Sequence, residues 1–314
     1  MLLLKARLAL ELPPINKALS RAAEGLPHPV RPIARHIFEA GGKRLRPLLT
    51  ILMARLLGYD KKDIYDLAVT MEMLHAATLL HDDVLDNADT RRGKPAAHTL
   101  FSATSTILAG DAMLAHANAL VARCGDPRLC LCFSEATSRT AAGEILEIAA
   151  QHRVETTAEE YEEIIRGKTA WLIRASCQLG ALRAGAAAAY GENIGMAFQI
   201  VDDALDFAPQ SITGKPSGGD VREGKLTPPL RMYRDSLDDA ARAAFDQAFN
   251  DASFTDGDAG RIADSIRAAG FDQATRMAAE GSLDKARAAL ASLPSGPEQD
   301  ILQQMADYVR DRKK

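Results

Sequence analysis

Two aspartate clusters with identical internal spacing stand in separate parts of the chain, within LLHDDVLD and FQIVDDALD. They comprise Asp82, Asp83 and Asp86, and Asp202, Asp203 and Asp206. Residues i and i+4 of a helix lie on one face, so the first and third aspartates of each cluster are predicted neighbours. Carboxylates this close repel each other unless a cation lies between them. The pattern predicts sites for Mg²⁺, which prefers a few carboxylates together with substrate phosphates.

Other cation sites fit the clusters less well. The sixth-position glycine and terminal glutamate of an EF-hand calcium loop are missing, and no His or Cys accompanies the carboxylates at the spacing of zinc ligands. A single DDxxD is equally typical of a solvated helix end. Here both copies follow apolar helical stretches, MLHAATLL and IGMAFQIV, which favours a functional pair.

Basic residues are concentrated in three short segments, GGKRLRP (41–47), RRGKP (91–95) and RGKTA (166–170). Arginine forks and lysines bind phosphate oxygens directly. GGKRLRP is not a P-loop, because no strand precedes it and the GxxxxGK[ST] spacing is absent. We expect Lys43 and Arg46 to share a face at the start of a helix. Together, the aspartate clusters and the basic segments predict two phosphorylated ligands. One would be held through metal ions and the other by direct contacts with Lys and Arg.

Helical periodicity dominates the chain. It predicts helices over 43–57, 61–87, 98–124, 127–151, 157–182 and 186–208, and no alternating strand or βαβ pattern is evident. Residues 209–229 carry four Pro and four Gly and are predicted to form a long functional loop. Shorter helices follow to the end. We interpret residues 1–314 as one large all-α domain.

Composition narrows the functional classes. The net charge of −4 gives no reason to expect nucleic acid as a partner. The four cysteines form no CxxC pair and are predicted to be buried free thiols in a reducing cytoplasm. The segment MLLLKARLALELPP is too short and too charged for a membrane span and is expected to form an amphipathic first helix.

Five motifs in order, GGKRLRP, LLHDDVLDNADTRRGKP, GKTA, FQIVDDALDF and a GK…D…EGK…P segment, resemble the trans-polyprenyl diphosphate synthase family of head-to-tail isoprenoid chain elongators. The resemblance runs from about residue 25 to the C-terminus. It implies an all-α helical bundle around a deep central cavity, usually a homodimer, and a mechanism with three Mg²⁺ ions. It also implies a prenyltransferase that condenses isopentenyl diphosphate onto farnesyl or geranylgeranyl diphosphate.

The resemblance assigns roles to individual residues. Asp82 and Asp86 would hold metal ions from one wall and Asp202 from the opposite wall, with the other three aspartates supporting them. The allylic diphosphate would be bound by Arg91, Lys168, Lys215 and Lys225, and isopentenyl diphosphate by Lys43, Arg46, His75 and Arg92. Thr169 and Gln199 would line the reacting centre and Phe198 would flank it. His81 is interpreted as a packed side chain.

Product length depends in this family on residues just before the first acidic cluster. Ala77 and Thr78 lie one turn below Asp82 and Leu74 about two turns below. Short-chain members tend to place an aromatic ring there, so the small side chains predict an all-trans product longer than geranylgeranyl diphosphate. The alternative is a floor supplied by a neighbouring helix, and hence a geranylgeranyl diphosphate synthase. Glu147, where long-chain members commonly have Gln, is a departure that weakens the length assignment.

Three rival functions remain. A class I terpene cyclase would not need a second diphosphate site. A silent subunit that sets a partner's product length typically loses an acidic cluster, whereas both are present here. A purely structural helical protein leaves the paired motifs unexplained. Any membrane contact is expected to be peripheral and driven by the product.

Overall fold

The computed structural model describes residues 2–181, 185–214 and 216–312, with the backbone alone for 185–188. This part of the chain is built almost entirely of helices, so the all-α prediction is confirmed. In the first half these are α1 (Leu2–Glu24), α2 (Arg31–Glu39), α3 (Leu45–Leu56), α4 (Ile64–Leu85), α5 (Ala97–Phe101), α6 (Ala103–Ala122), α7 (Pro127–Ala150), α8 (Ala158–Ile165) and α9 (Trp171–Ala181). In the second half they are α10 (Gly185–Asp206), α11 (Gln210–Thr213), α12 (Gly219–Arg222), α13 (Pro228–Asp235), α14 (Asp239–Asn250), α15 (Asp256–Ala269), α16 (Phe271–Ala278), α17 (Glu280–Ala291) and α18 (Pro297–Arg310).

Local signals explain several helix boundaries. Ser102 splits the predicted helix 98–124 into α5 and α6, and its hydroxyl caps α6 by accepting from the Ser105 N–H. Thr157 and Glu160 form a reciprocal capping box at the start of α8. The predicted loop 209–229 contains the one-turn helices α11 and α12, and α13 begins at Pro228, a residue suited to the first helical turn.

The chain divides into two compact units. Unit one comprises residues 1–138, 172–191 and 290–304, and unit two comprises 139–171, 192–289 and 305–314. The core of unit one is rich in Ala, Leu, Ile and Met from α1 to α4, α6, α7 and α9. A core of unit two surrounds Phe207, Phe245 and Phe249. Each unit therefore buries an apolar interior of its own.

The cysteines differ in part from the prediction. All four are free, but only Cys177 is fully buried, while Cys124 is exposed. Cys124 lies just beyond the end of α6, where the chain has left the core. Among the described residues, no helix combines the length and apolar character needed to cross a membrane.

A buried carboxylate in unit one yields a stability prediction. Glu11 is 4% exposed, accepts from the Tyr65 hydroxyl at 2.7 Å and pairs with Arg55. Burial opposes ionisation, but the hydrogen bonds from Tyr65 and Arg55 hold the Glu11 pKa below its ordinary value. Glu11→Gln should therefore destabilise the protein by about 2 kcal/mol at pH 7. This stabilisation is present above the unfolded-state pKa and disappears as pH falls through the lower folded-state pKa.

Urea unfolding at pH 7 and at pH 3 measures this effect. The difference between the wild type and Glu11→Gln should shrink at the lower pH. Glu24→Gln is the matched control, because Glu24 pairs with Arg35 on the exposed surface and such pairs contribute little. An equal loss at both pH values would contradict the charge-based explanation.

Candidate active site

The first acidic cluster lies at the end of α4, in unit one. The Asp86 N–H donates to the Asp82 carbonyl at 2.8 Å, so the helical register continues and the two side chains share a face. On this face Asp86 is exposed and Asp82 is half-buried. Asp83 is fully buried and accepts from Arg91 Nε at 2.7 Å. Asp82 and Asp86 are therefore accessible to a ligand, whereas Asp83 anchors Arg91.

A short hairpin positions the arginines that follow, and the sequence did not predict it. Strands β1 (Thr90–Arg91) and β2 (Lys94–Pro95) pair antiparallel. The turn residues Arg92 and Gly93 both have positive φ, 54° and 75°, as a two-residue type I′ hairpin requires. Strands of two residues are too short to leave an alternating pattern. The turn places the Arg92 guanidinium where it donates to the Gly41 carbonyl.

The prediction that Lys43 and Arg46 share a helix face is wrong. Helix α3 begins at Leu45, and Lys43 lies in the preceding non-helical segment. Arg44 has a φ of 49° and is buried, where its Nη1 donates to Glu72 Oε1 at 2.7 Å. A left-handed residue held by a buried ion pair interrupts the helix at this point.

A group of side chains that we call the cationic cluster consists of Arg44, Arg46, His75, Arg91 and Arg92, all in unit one. Burial and then the charges of Arg46 and Arg92 keep the His75 pKa well below its ordinary value, so the imidazole is neutral at pH 7. Burial, opposed by Glu72 and reinforced by Arg92, lowers the Arg46 pKa to about 10. Arg46 Nε is buried, with no hydrogen-bond partner among the described residues. A buried guanidinium nitrogen without a partner, surrounded by further positive charges, favours the binding of an anionic ligand.

The remaining histidine of α4 behaves as interpreted. The His81 ring packs over Gly110 of α6, where a Cβ would come within 2.4 Å of Nε2. The same nitrogen lies 3.1 Å from the Ile107 carbonyl oxygen. His81 thus contributes to the packing of α4 against α6.

The second acidic cluster lies at the end of α10, in unit two. Asp202 is the accessible member, with its side chain 42% exposed and Oδ1 2.8 Å from Arg312 Nη2. The Arg312 guanidinium also lies over the Phe198 ring, 3.9 Å from its centroid. Asp206 accepts from the Asp220 N–H at 3.0 Å, and burial raises the Asp206 pKa although this hydrogen bond lowers it.

Asp203 is the buried member of the second cluster, and both of its oxygens are engaged. Oδ2 accepts from the Tyr161 hydroxyl at 2.6 Å, and Oδ1 accepts from Gln199 Nε2 at 2.8 Å. Gln199 Oε1 in turn accepts from the Thr169 hydroxyl at 2.7 Å. Burial raises the Asp203 pKa to about 7, although both hydrogen bonds act in the opposite direction.

Lys168 and Thr169 lie on a π-helical turn, Arg166–Ala170, between α8 and α9. Such turns are frequent at functional sites. Gly167 faces Gly143 of α7, and a Cβ on Gly167 would come within 2.7 Å of the Gly143 Cα. This close backbone approach brings Lys168 Nζ to 2.6 Å from Glu147 Oε1, with Glu144 of the same helix also within reach.

Lys225 reaches the same carboxylate from the loop that follows α12. Its Nζ is 2.9 Å from Glu147 Oε1 and 2.6 Å from Glu223 Oε2. Burial raises the Glu147 pKa, but the charges of Lys225 and Lys168 outweigh it, so the pKa is lower than usual. The His152 N–H donates to the Gly224 carbonyl at 2.8 Å and fixes the loop. Lys215, predicted to act with Lys225, lies outside the described residues.

These groups surround a cavity of about 110 Å³ in unit two. Its polar lining comprises Glu147, Gln151, Thr156, Tyr161, Lys168, Gln199, Asp203, Asp220, Lys225 and Thr227. Cations, carboxylates and two amides therefore converge on one volume, a composition suited to a phosphate that arrives with metal ions.

Sequence reasoning assigned no role to four residues of this region: Glu147, Tyr161, Asp220 and Arg312. Asp220 lies in the quoted GK…D…EGK…P segment, and its buried carboxyl accepts from the Thr227 hydroxyl at 2.9 Å. The others contact their partners across long sequence separations, so no local pattern identifies them.

The residues proposed to set product length lie on α4. Leu74 and Ala77 are both 1% exposed, whereas Thr78 is half-buried, with its hydroxyl donating to the His75 carbonyl at 2.9 Å. No aromatic side chain of α4 occupies the turn below Asp82.

The donor set fits Mg²⁺. Burial raises the pKa values of Asp206 and Asp220, and repulsion by Glu223 for Asp206 and by Asp206 for Asp220 adds to it. A divalent cation would relieve this buried negative charge. Within the described ranges no three acidic, His or Cys residues form a ready-made metal cage. Mg²⁺ typically uses one or two carboxylates and completes its shell with water and substrate phosphates. The accessible carboxylates are Asp82 and Asp86 in unit one and Asp202 in unit two.

Comparisons with known proteins point to one family. A family model described as polyprenyl synthetase matches residues 27–264. Heptaprenyl diphosphate synthase component 2 of Geobacillus stearothermophilus is 34% identical over 311 residues, covering 96% of each chain. The structure of a decaprenyl diphosphate synthase from Rhodobacter capsulatus matches with a TM-score of 0.91 and 38% identity, over 99% of this chain and 98% of that chain. A Caulobacter crescentus polyprenyl synthase, complexed with calcium and isoprenyl diphosphate, matches with a TM-score of 0.92 and 34% identity over the same shares.

The family model covers well over half of the chain, and the relatives match along nearly all of it. The chain therefore belongs to the polyprenyl synthetase family, the trans-prenyltransferases that make polyprenyl diphosphates.

Proposed function

We propose that this chain, acting as a single domain over residues 1–314 in the cytoplasm, condenses isopentenyl diphosphate onto farnesyl or geranylgeranyl diphosphate. The observation that carries the proposal is the cationic cluster. Arg46 is half-buried, and its buried Nε, beside a neutral His75, has no hydrogen-bond partner in the part of the chain that the structure describes. A diphosphate supplies the missing acceptors, and its charge is matched by several nearby arginines. Isopentenyl diphosphate, held without metal ions, is the substrate assigned to Lys43 and to Arg46, His75 and Arg92 of this cluster.

The allylic diphosphate is assigned to Arg91, Lys168, Lys215 and Lys225, together with Mg²⁺. Lys168 and Lys225 share Glu147 as a counter-ion, so both are charged and close to each other before a ligand binds. The family's chemistry depends on Mg²⁺, which neutralises the diphosphate as it departs. We assign three ions to sites built on Asp82, Asp86 and Asp202, the accessible carboxylates, with Asp83, Asp203 and Asp206 in supporting roles.

The reaction then requires little covalent participation by the protein. The allylic C–O bond breaks, the double bond of isopentenyl diphosphate forms the new C–C bond, and a proton leaves to the departed diphosphate. Lys168 and Lys225 stabilise the charge that develops on the leaving group. Thr169 and Gln199 present oxygen atoms to the allylic cation.

The binding assignment predicts a selective defect. Arg46→Leu should raise the KM for isopentenyl diphosphate about thirtyfold, since a charged hydrogen bond contributes about 2 kcal/mol. The KM for the allylic substrate should change less than twofold by steady-state kinetics. Arg123→Leu, at an exposed arginine just after α6, is the control. An equal rise in both KM values would remove Arg46 from a selective isopentenyl site.

We propose a product longer than geranylgeranyl diphosphate, because small side chains at Ala77 and Thr78 leave the turn below Asp82 without an aromatic floor. The long-chain names of the matched relatives support this choice. A geranylgeranyl diphosphate synthase is the alternative.

We propose a homodimer, because unit one exposes large apolar side chains on α6 and α7. Ile107 is 41% exposed, Leu108 60% and Leu131 61%, and exposed apolar side chains are typical of a subunit interface where they form one patch. A second, different subunit is the alternative, since one relative is named as component 2 of its enzyme. Sedimentation of the purified chain alone separates the two: a monomer would contradict the homodimer.

The activity is tested by incubating the purified protein with Mg²⁺, isopentenyl diphosphate and farnesyl diphosphate, then measuring the chain lengths of the dephosphorylated products. A ladder that extends beyond geranylgeraniol supports the proposal. A stop at geranylgeraniol supports the alternative synthase. No elongation with any allylic primer would contradict the activity and favour a silent chain-length-setting subunit.

A further inference from the structure

Four side chains of unit two form one continuous hydrogen-bond chain. It runs from the Tyr161 hydroxyl on α8 to Asp203 and Gln199 on α10 and ends at Thr169 on the π-helical turn. The three donor–acceptor distances, from Tyr161 to Asp203, Gln199 to Asp203 and Thr169 to Gln199, are 2.6, 2.8 and 2.7 Å. Tyr161, Asp203 and Gln199 line the cavity that also contains Lys168.

The carboxylate fixes the direction of every hydrogen bond in this chain. Both oxygens of Asp203 accept in the structure, one from the Tyr161 hydroxyl and the other from the Gln199 NH₂ group. With its NH₂ group committed, Gln199 can offer only its carbonyl to Thr169, which must then donate its proton. The Thr169 oxygen is thereby left with its lone pairs for other directions. Without Asp203 the Gln199 amide could adopt either orientation.

The contacts of Asp203 differ from those of the neighbouring Asp202. Asp203 is 6% exposed and each of its oxygens already accepts a hydrogen bond. The Asp202 side chain is 42% exposed. Each Asp203 oxygen thus has one lone-pair site left, inside a buried network, whereas Asp202 is accessible to a metal ion without disturbing these contacts.

We propose that Tyr161 is a positioning residue for prenyl transfer. Together with Asp203, Tyr161 fixes the orientation of the Gln199 amide, and the Gln199 amide in turn fixes the Thr169 hydroxyl. Oxygen lone pairs rather than N–H groups then face the allylic cation. Asp203 then serves this network instead of holding Mg²⁺. The inference rests on the proposed function, in which Thr169 and Gln199 line the reacting centre. A fixed array of dipoles aimed at developing charge is an effective form of electrostatic stabilisation.

Tyr161→Phe tests this with the removal of one hydroxyl. The kcat should fall about tenfold, the effect of one lost hydrogen bond in a transition state. The KM for each diphosphate and the Mg²⁺ concentration for half-maximal activity should change less than twofold. In a Gln199→Ala background, which lacks the group that Tyr161 positions, Tyr161→Phe should have no further effect on kcat.

Tyr190→Phe is the matched control. Tyr190 is fully buried and its hydroxyl donates to the Leu302 carbonyl at 2.7 Å in unit one, so its loss should lower stability without lowering kcat. Wild-type kcat in Tyr161→Phe, or a full additional loss in the Gln199→Ala background, would overturn the positioning role. A large rise in the Mg²⁺ requirement of Tyr161→Phe would show that Asp203 acts through the metal.

A readout independent of activity separates this inference from the proposed function. In metal-free protein labelled with ¹⁵N-glutamine, the Gln199 side-chain signal is identified by its absence from Gln199→Ala. It should shift in Tyr161→Phe and remain in place in Tyr190→Phe. An unchanged signal in Tyr161→Phe would overturn the inference even if the enzyme elongates prenyl chains. A shift in a protein that fails to elongate would instead leave the network in place and contradict the proposed function.

Discussion

Asp82→Asn should lower kcat/KM about a thousandfold, which is the upper range for loss of one charge-stabilising group. Asp82 and Asp86 share the accessible face at the end of α4, while Asp83 is buried against Arg91. The amide preserves the shape of the side chain but removes the charge that a Mg²⁺ ligand must supply. The Mg²⁺ concentration for half-maximal activity should also rise, as measured by metal titration of the steady-state rate.

The control for this prediction lies on the same helix. Asp66 pairs with Arg21 at 2.6 Å, and both side chains are more than half exposed. Since exposed ion pairs contribute little, Asp66→Asn should retain wild-type kinetics within twofold. Near-normal activity and an unchanged Mg²⁺ requirement in Asp82→Asn would remove this residue from the catalytic machinery.

Ala77→Phe should shorten the longest product to geranylgeranyl diphosphate or less. Ala77 is 1% exposed and lies five residues before Asp82, about 7.5 Å along the helix axis. An aromatic ring at this depth would occupy the space that the proposed function assigns to the growing chain. Overpacking is expected to cost about 1–3 kcal/mol of stability, while the first condensation step should keep a rate within a few-fold of wild type. Product analysis after dephosphorylation measures both effects.

Ala76→Phe separates the steric block from general overpacking. Ala76 is also buried in α4, but it lies about 100° around the helix from Ala77. A similar loss of stability with an unchanged product ladder is expected. If both variants keep the wild-type ladder, the floor of the cavity is formed by another helix.

Much of the helical architecture was predictable, because it depends on local periodicity. The apolar helical stretch before the first acidic cluster lies in α4, and the apolar helical stretch before the second acidic cluster lies in α10. The predicted helix boundaries were wrong where one or two residues adopt a left-handed backbone conformation. Arg44, with φ 49°, delays α3, and the turn at Arg92 and Gly93 forms a hairpin. Both depend on contacts with distant residues that a local pattern does not contain.

By itself the sequence determined the all-helical class, the repeated aspartate spacing and the inventory of cations, since these follow from side-chain chemistry and the 3.6-residue repeat. Only the tertiary structure decided which aspartate of each cluster is accessible and which is committed to hydrogen bonds. It also decided that Glu147 joins Lys168 to Lys225, and that Arg312 reaches Asp202. These outcomes depend on burial and on contacts between groups that are far apart in the chain. A buried carboxylate keeps its charge only if the fold brings a cation or a hydrogen-bond donor to it.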